Sequence, residues 1–255
     1  MHIKQRNSRG SFFEDSGQRG SIFFAFVTSI IAFCGTLFVS LEYVKGGYYV
    51  TVADGLIFST ASMAIHLIYP VICMLATIPE VKSSFRTSAI LSCQTKRRFW
   101  KKISFSLSFK SLIICLIWTC STFLAALLVA NKWEITDESR NLYVLYAHAK
   151  RIIPLFSLVV IFFIRIFLIS LLSQQLVLFS KILSNRVLYA FIGVLILCIH
   201  DYYSNSPWFF KFVPIDCVSL LNPLGLFFCY GVAVLICTVL ILLNLIIFRK
   251  RDLYV

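Results

Sequence analysis

The chain has 255 residues, 59% of them hydrophobic and 14% charged, with a formal net charge of +13 and a mean hydropathy of +0.87. So large an apolar share is more than a water-soluble domain hides in one core, since such a domain also needs a polar surface. The basic residues sit at the ends of apolar tracts and do not build one face of a domain, which argues against nucleic acid as a partner.

A spanning helix needs roughly 20 apolar residues to cross about 30 Å of hydrocarbon. In chain order, tract one runs from Ser21 to Leu41 after a tail (residues 1–20) that carries Lys4, Arg6, Arg9 and Arg19. With no small-residue cleavage pattern after it, this tract reads as a retained helix. Tract two runs from Leu56 to Ile78, and a basic segment follows from Pro79 to Lys110. Tract three covers Ser111 to Ala130, and tract four covers Ile152 to Leu172 with Arg165 inside it. Tract five, Val187 to Ile199, is short for a crossing. An aromatic, proline-bearing stretch (200–223) then leads to tract six, Leu224 to Phe248, and a tail (249–255).

With six spans, 17 Lys and Arg fall on one side and 6 on the other, Arg165 completing the 24. Basic residues stay on the cytoplasmic side. The expectation is therefore an all-α polytopic membrane protein with six transmembrane helices (21–248), both termini cytoplasmic, in a cell membrane, most simply the bacterial cytoplasmic one.

The Pro79–Lys110 segment has internal order. Pro79 suits a first helical turn, and Thr77 with Glu80 has capping-box spacing. Val81, Phe85, Ala89 and Ile90 recur near helical spacing, with Lys82 and Arg86 on another face. This pattern predicts a short amphipathic helix at the membrane surface. The cluster Lys96, Arg97, Arg98, Lys101 and Lys102, interleaved with Phe99 and Trp100, anchors the chain among lipid headgroups. A purely topological role and a docking surface for a cytoplasmic partner both fit these residues.

Six spans, a helical first cytoplasmic loop and the terminal Phe248-Arg249-Lys250-Arg251-Asp252 together resemble the permease subunit of a type-2 ATP-binding-cassette exporter. In that family the loop between spans two and three reads Glu, then Gly-Thr, an apolar pair, and a basic stretch ending in Lys. Glu80, Thr87, Ile90 with Leu91, Arg97 with Arg98, and Lys101 or Lys102 fall in comparable positions. Arg86 stands where the glycine is usual, and no proline follows Leu91. The stretch Ser206–Pro223 resembles the family's broken outer excursion. The resemblance covers nearly the whole chain in layout. It implies a pathway built by two permeases, identical or not, with a cytoplasmic ATPase pair docked on the first loop and the tails. Glu80, Val81, Phe85, Arg86, Ile90 and Leu91 would form the coupling surface, and the cargo would be a peptide, lipid-like or drug-like amphipath. ATP and magnesium would bind the partner ATPase, since this chain has no GxxxxGK segment and needs no cofactor of its own.

Few residues inside the tracts carry chemistry. Counted back from Leu172, Arg165 lies roughly 10 Å below the cytoplasmic boundary, where it either snorkels or serves a pathway. His66 and Tyr69 share a face of tract two, and Pro70 kinks it. Asp54, Asp201 and Asp216 lie near the outer boundary in no acid–base or metal-ligand arrangement. Seven of the nine cysteines lie in apolar tracts, Cys93 in the basic segment and Cys217 outside, and no CxxC occurs. A membrane-embedded enzyme, a secondary transporter and a channel or accessory subunit are the alternatives. The first lacks a catalytic set, and the second lacks paired acidic residues and an internal repeat.

Overall fold

The computed structural model describes residues 10–48, 50–61, 64–85, 93, 95–130, 154–203 and 223–250, with side-chain surroundings from Phe23 in the first helix and Phe227 in the last. Their elements are α1 (Gly10–Lys45), α2 (Val52–Ala61), a π-helical turn (Ala64–Ile68), α3 (Tyr69–Ser84), α4 (Lys96–Val129), α5 (Leu155–Ser184), α6 (Leu188–Tyr203) and α7 (Pro223–Lys250). Five runs are long and apolar enough to cross a bilayer: Phe23–Lys45, Ala64–Ser84, Lys96–Val129, Leu155–Ser184 and Tyr230–Lys250. The protein is a polytopic α-helical membrane protein. The expected six long spans are corrected to five, because α6 has 16 residues and covers only about 24 Å at 1.5 Å per residue. The terminal residues 1–9 and 251–255, and most of the outer stretch (204–222), lie outside the described residues.

The helices pack through side chains small enough to bring backbones together, as membrane interfaces require. On α1, Thr28, Ala32, Thr36 and Ser40 recur every fourth residue and are buried, while Phe23, Phe26, Ile30 and Phe38 point outward to lipid. The small face packs on α4, where Ser29 and Ser121 share a hydrogen bond of 2.8 Å. Gly55 of α2 has Ala126 of α4 directly against it, so close that an added Cβ would stand 2.7 Å from the alanine methyl. At the start of α2, Thr51 and Asp54 form a buried capping box: the Asp54 amide donates to Thr51 Oγ1 (3.2 Å), and the Thr51 amide donates to Asp54 Oδ2 (2.9 Å).

Contact register gives each helix its direction. Tyr69 of α3 meets Trp118 of α4 while Ala76 meets Lys110, so these two run antiparallel. Asn244 with Gln175 and Tyr230 with Ile161 are both 69 residues apart, so α5 and α7 run parallel. α5 is the central element and packs on α2, α3, α4, α6 and α7. It ends on Asn185 in the left-handed region (φ 59°), which asparagine tolerates, with Lys181 Nζ donating to its side-chain oxygen at 2.6 Å.

At one end of the bundle Phe85, Phe99, Trp100 and Phe248 form an aromatic block, the Phe99 and Phe248 rings stacked at 5.3 Å. Lys181 lies 5.9 Å from the Phe85 ring, and Lys96 reaches the Arg249 carbonyl at 3.4 Å. The block thus ties together the ends of α3, α4, α5 and α7. Lys82, Arg97, Arg98, Lys101, Lys102, Arg186 and Lys250 decorate the same end.

Three sequence expectations change. The predicted helix start at Pro79 is not a start, because α3 runs through Pro79 to Ser84. Thr77 does not cap it; its hydroxyl donates back to the Cys73 carbonyl at 2.6 Å. The basic cluster is not loop but the first turns of α4, capped by Thr95, whose hydroxyl accepts the Arg98 amide. Only residues 85–95 therefore connect α3 to α4. Lastly, tract four does not end at Leu172: α5 continues for twelve more residues to Ser184.

Candidate functional site

The longer α5 changes the depth of Arg165. Tyr69 beside Ile166 sets Glu80 level with Val177, so Arg165 lies about 18 Å inward from Glu80 and close to mid-bilayer. It is 2% exposed. The roughly 10 Å depth read from sequence thus becomes about 18 Å, and the side chain is enclosed by the bundle.

Three neighbouring helices brace α5 around this arginine. The Tyr69 hydroxyl from α3 donates to the Ile166 carbonyl (3.1 Å), the Cys115 thiol from α4 to Phe163 (3.2 Å), and the Tyr230 hydroxyl from α7 to Ile161 (3.2 Å). Lipid offers no partner to polar groups, so such sharing of helix carbonyls is how buried hydroxyls are satisfied there. Tyr69 is fully buried, its ring edge-on to Trp118 at 4.6 Å. His66, 5% exposed, lies in the π turn within about one helical turn of the depth of Arg165. Pro70 has no N–H to give the His66 carbonyl, which is the physical reason the span is irregular at that point.

From Arg165 toward the basic end the interior stays polar. Ser170 contacts Cys73, Gln174 Nε2 lies 3.5 Å from Ser170 Oγ, and Asn244 Nδ2 donates to both the main-chain oxygen and Oε1 of Gln175 at 3.1 Å. Gln174, Gln175 and Asn244 are essentially fully buried. The seam combines a fixed cation at mid-depth, neutral donors and acceptors below it, and an irregular span beside it. Among the described residues no three His, Cys, Asp or Glu side chains gather as metal ligands, and Cys34, Cys73, Cys93, Cys115, Cys120, Cys198 and Cys237 are free thiols.

The residues expected to couple to an ATPase separate. Val81 is fully buried, and Phe85 packs into the aromatic block. Glu80 pairs with Lys110 at 3.2 Å. Arg86, Ile90 and Leu91 lie outside the described residues. Sequence reasoning missed Lys110, Gln175 and Asn244. The signal available was the glutamine pair in α5 and the asparagine in α7, the former hidden because Ser173-Gln174-Gln175 resembles a link.

Searches against protein-family models, curated proteins and solved structures found no match to this chain.

Proposed function

We propose that this chain is the membrane-spanning permease subunit of an ATP-driven transporter of the exporter class it resembles, moving a peptide, lipid-like or drug-like amphipath that carries negative charge. The observation that carries the reading is the aromatic block. It flanks the connection between α3 and α4 and ties that connection to the ends of α5 and α7, which hold the polar seam. A push on residues 86–94 by a cytoplasmic ATPase is thereby passed to the helices around Arg165. The irregular π turn and Pro70 let the second span adopt two arrangements, as alternating access needs.

In this reading both termini are cytoplasmic, a second permease completes the pathway, and ATP and magnesium bind the partner ATPases of a bacterial cytoplasmic membrane. Because α5 and α7 run parallel, the chain between them returns across the bilayer, and in this reading the shorter apolar helix α6 belongs to that return. The test is affinity capture of the tagged chain from its native membranes. A nucleotide-hydrolysing protein should co-purify and be lost when Ile90 and Leu91 are both replaced by Asp, with the chain still membrane-inserted. Capture without any ATPase, or with one that ignores the double substitution, refutes the assignment.

A further inference from the structure

A groove of about 230 Å³ opens on the lipid-facing flank between α1, α3 and α4. Its floor is apolar: Phe24, Ala25, Ala76, Ile113, Ile114 and Ile117. Its mouth is polar, and among the described residues the charged side chains lining it are Glu80 and Lys110. From Lys110 to Ile117 the floor extends about 10 Å along α4.

The depth of this mouth is set three times over. The apolar tracts begin at Ser21 on α1, end at Ile78 on α3 and begin at Ser111 on α4. All three limits meet at the groove, so Glu80 and Lys110 lie where hydrocarbon gives way to headgroups. The two residues also keep unused bonding capacity. Lys110 Nζ has three donors, of which one goes to the Ala76 carbonyl (2.6 Å) and one to Glu80 Oε2 (3.2 Å). Ser106 donates to Glu80 Oε1. A carboxylate accepts about four hydrogen bonds, so Glu80 retains room for further donors.

We infer that this groove binds an aminophospholipid. Its phosphate takes the remaining Lys110 donor, its primary ammonium takes the free acceptor positions of Glu80, and one acyl chain lies along Ala25, Ile113 and Ile117. The charge pattern selects this headgroup. A site with Lys110 alone would favour any anionic lipid, as the basic residues at this end do in general. The Glu80 carboxylate repels a headgroup that brings only negative charge. A quaternary choline has no N–H to donate, whereas a primary ammonium has three.

The test uses the intact chain, stripped of lipid in detergent and offered phosphatidylethanolamine, phosphatidylcholine and phosphatidylglycerol with the same acyl chains, with retained lipid counted by native mass spectrometry. One charge-assisted hydrogen bond predicts about tenfold preference for the ethanolamine lipid over each of the others. Glu80→Gln should bring the preference over phosphatidylcholine close to unity and turn the preference over phosphatidylglycerol toward the glycerol lipid. Lys110→Gln should lower retention of ethanolamine and glycerol lipids together. Ala25→Trp fills the floor without touching the ion pair and should reduce the ethanolamine lipid about tenfold in a chain that elutes like the parent. Equal retention of the three lipids by the parent chain, a preference for the glycerol lipid, or ethanolamine binding unchanged in Ala25→Trp each overturns the inference.

Discussion

Gly55 offers the sharpest test of the packing. A methyl group placed there would stand 2.7 Å from Ala126 Cβ, 3.3 Å from Ala126 Cα and 3.5 Å from Ser40 Oγ. Carbon atoms in contact settle at about 3.5–4.0 Å, so Gly55→Ala forces α2 and α4 apart by about 1 Å. Overpacking of this kind costs about 1–3 kcal/mol, offset by about 1 kcal/mol for the better helix propensity of alanine. The expected net loss is about 1 kcal/mol for alanine, rising past about 3 kcal/mol for Gly55→Leu, whose branches have nowhere to go. Thermal unfolding in detergent reads this as a midpoint lowered by about 2–4 °C for alanine. Ala126→Gly removes the 2.7 Å clash partner, so the double variant Gly55→Ala with Ala126→Gly should be more stable than the two single losses add up to. A single Gly55→Ala chain as stable as the parent, with strict additivity in the double variant, refutes the close approach of α2 and α4.

Two further outcomes follow from the interior. On the proposed function, Arg165→Lys and Arg165→Leu should both reach the membrane and fold, while cargo-stimulated ATP hydrolysis in a complex with the proposed ATPase falls about ten- to a hundredfold for leucine and less for lysine; a leucine variant that transports like the parent refutes a pathway role for Arg165. Phe85→Asp, which a surface coupling helix would tolerate, should instead cost about 3 kcal/mol or more by opening the aromatic block, with Phe85→Leu losing less; an unaltered unfolding midpoint for the aspartate chain contradicts the packing of Phe85 on Phe99 and Phe248.

Hydropathy located the membrane helices well, because roughly 20 successive apolar residues have few other uses. It placed their ends poorly. Ser173, Gln174 and Gln175 lower the local hydropathy and resemble a link, yet they are buried helix whose polar groups meet Ser170 and Asn244. Partners from another helix are invisible to a sliding window, and losing that segment misplaced Arg165 by about half a leaflet. Thr51–Asp54 and Thr77–Glu80 have the same capping-box spacing, but only the first caps. At Thr77 a helix is already running, so the hydroxyl turns to the Cys73 carbonyl instead. His66, Tyr69 and Arg165 stand out in the sequence as polar residues in apolar tracts; His66 lies in the π turn and Tyr69 opens α3 directly after it. In the sequence Lys110 reads as the end of a basic run. Its role in the groove depends on Glu80, thirty residues earlier, and on a wall from α1.

The aromatic block and the ion pair have a mechanical consequence when taken together. From Ser106, at the groove, to Phe99, in the block, α4 extends about 10 Å, and from the depth of Glu80 inward to Arg165 the bundle extends about 18 Å. If the helices pivot where Glu80 and Lys110 hold α3 to α4, the inner arm is nearly twice the outer one. A sideways step of about 1 Å at the clamped aromatic ends then swings the level of Arg165 by nearly 2 Å the other way. The pivot would be the place where small displacements are either transmitted or lost, and its stiffness would set how much motion at the aromatic block reaches mid-bilayer.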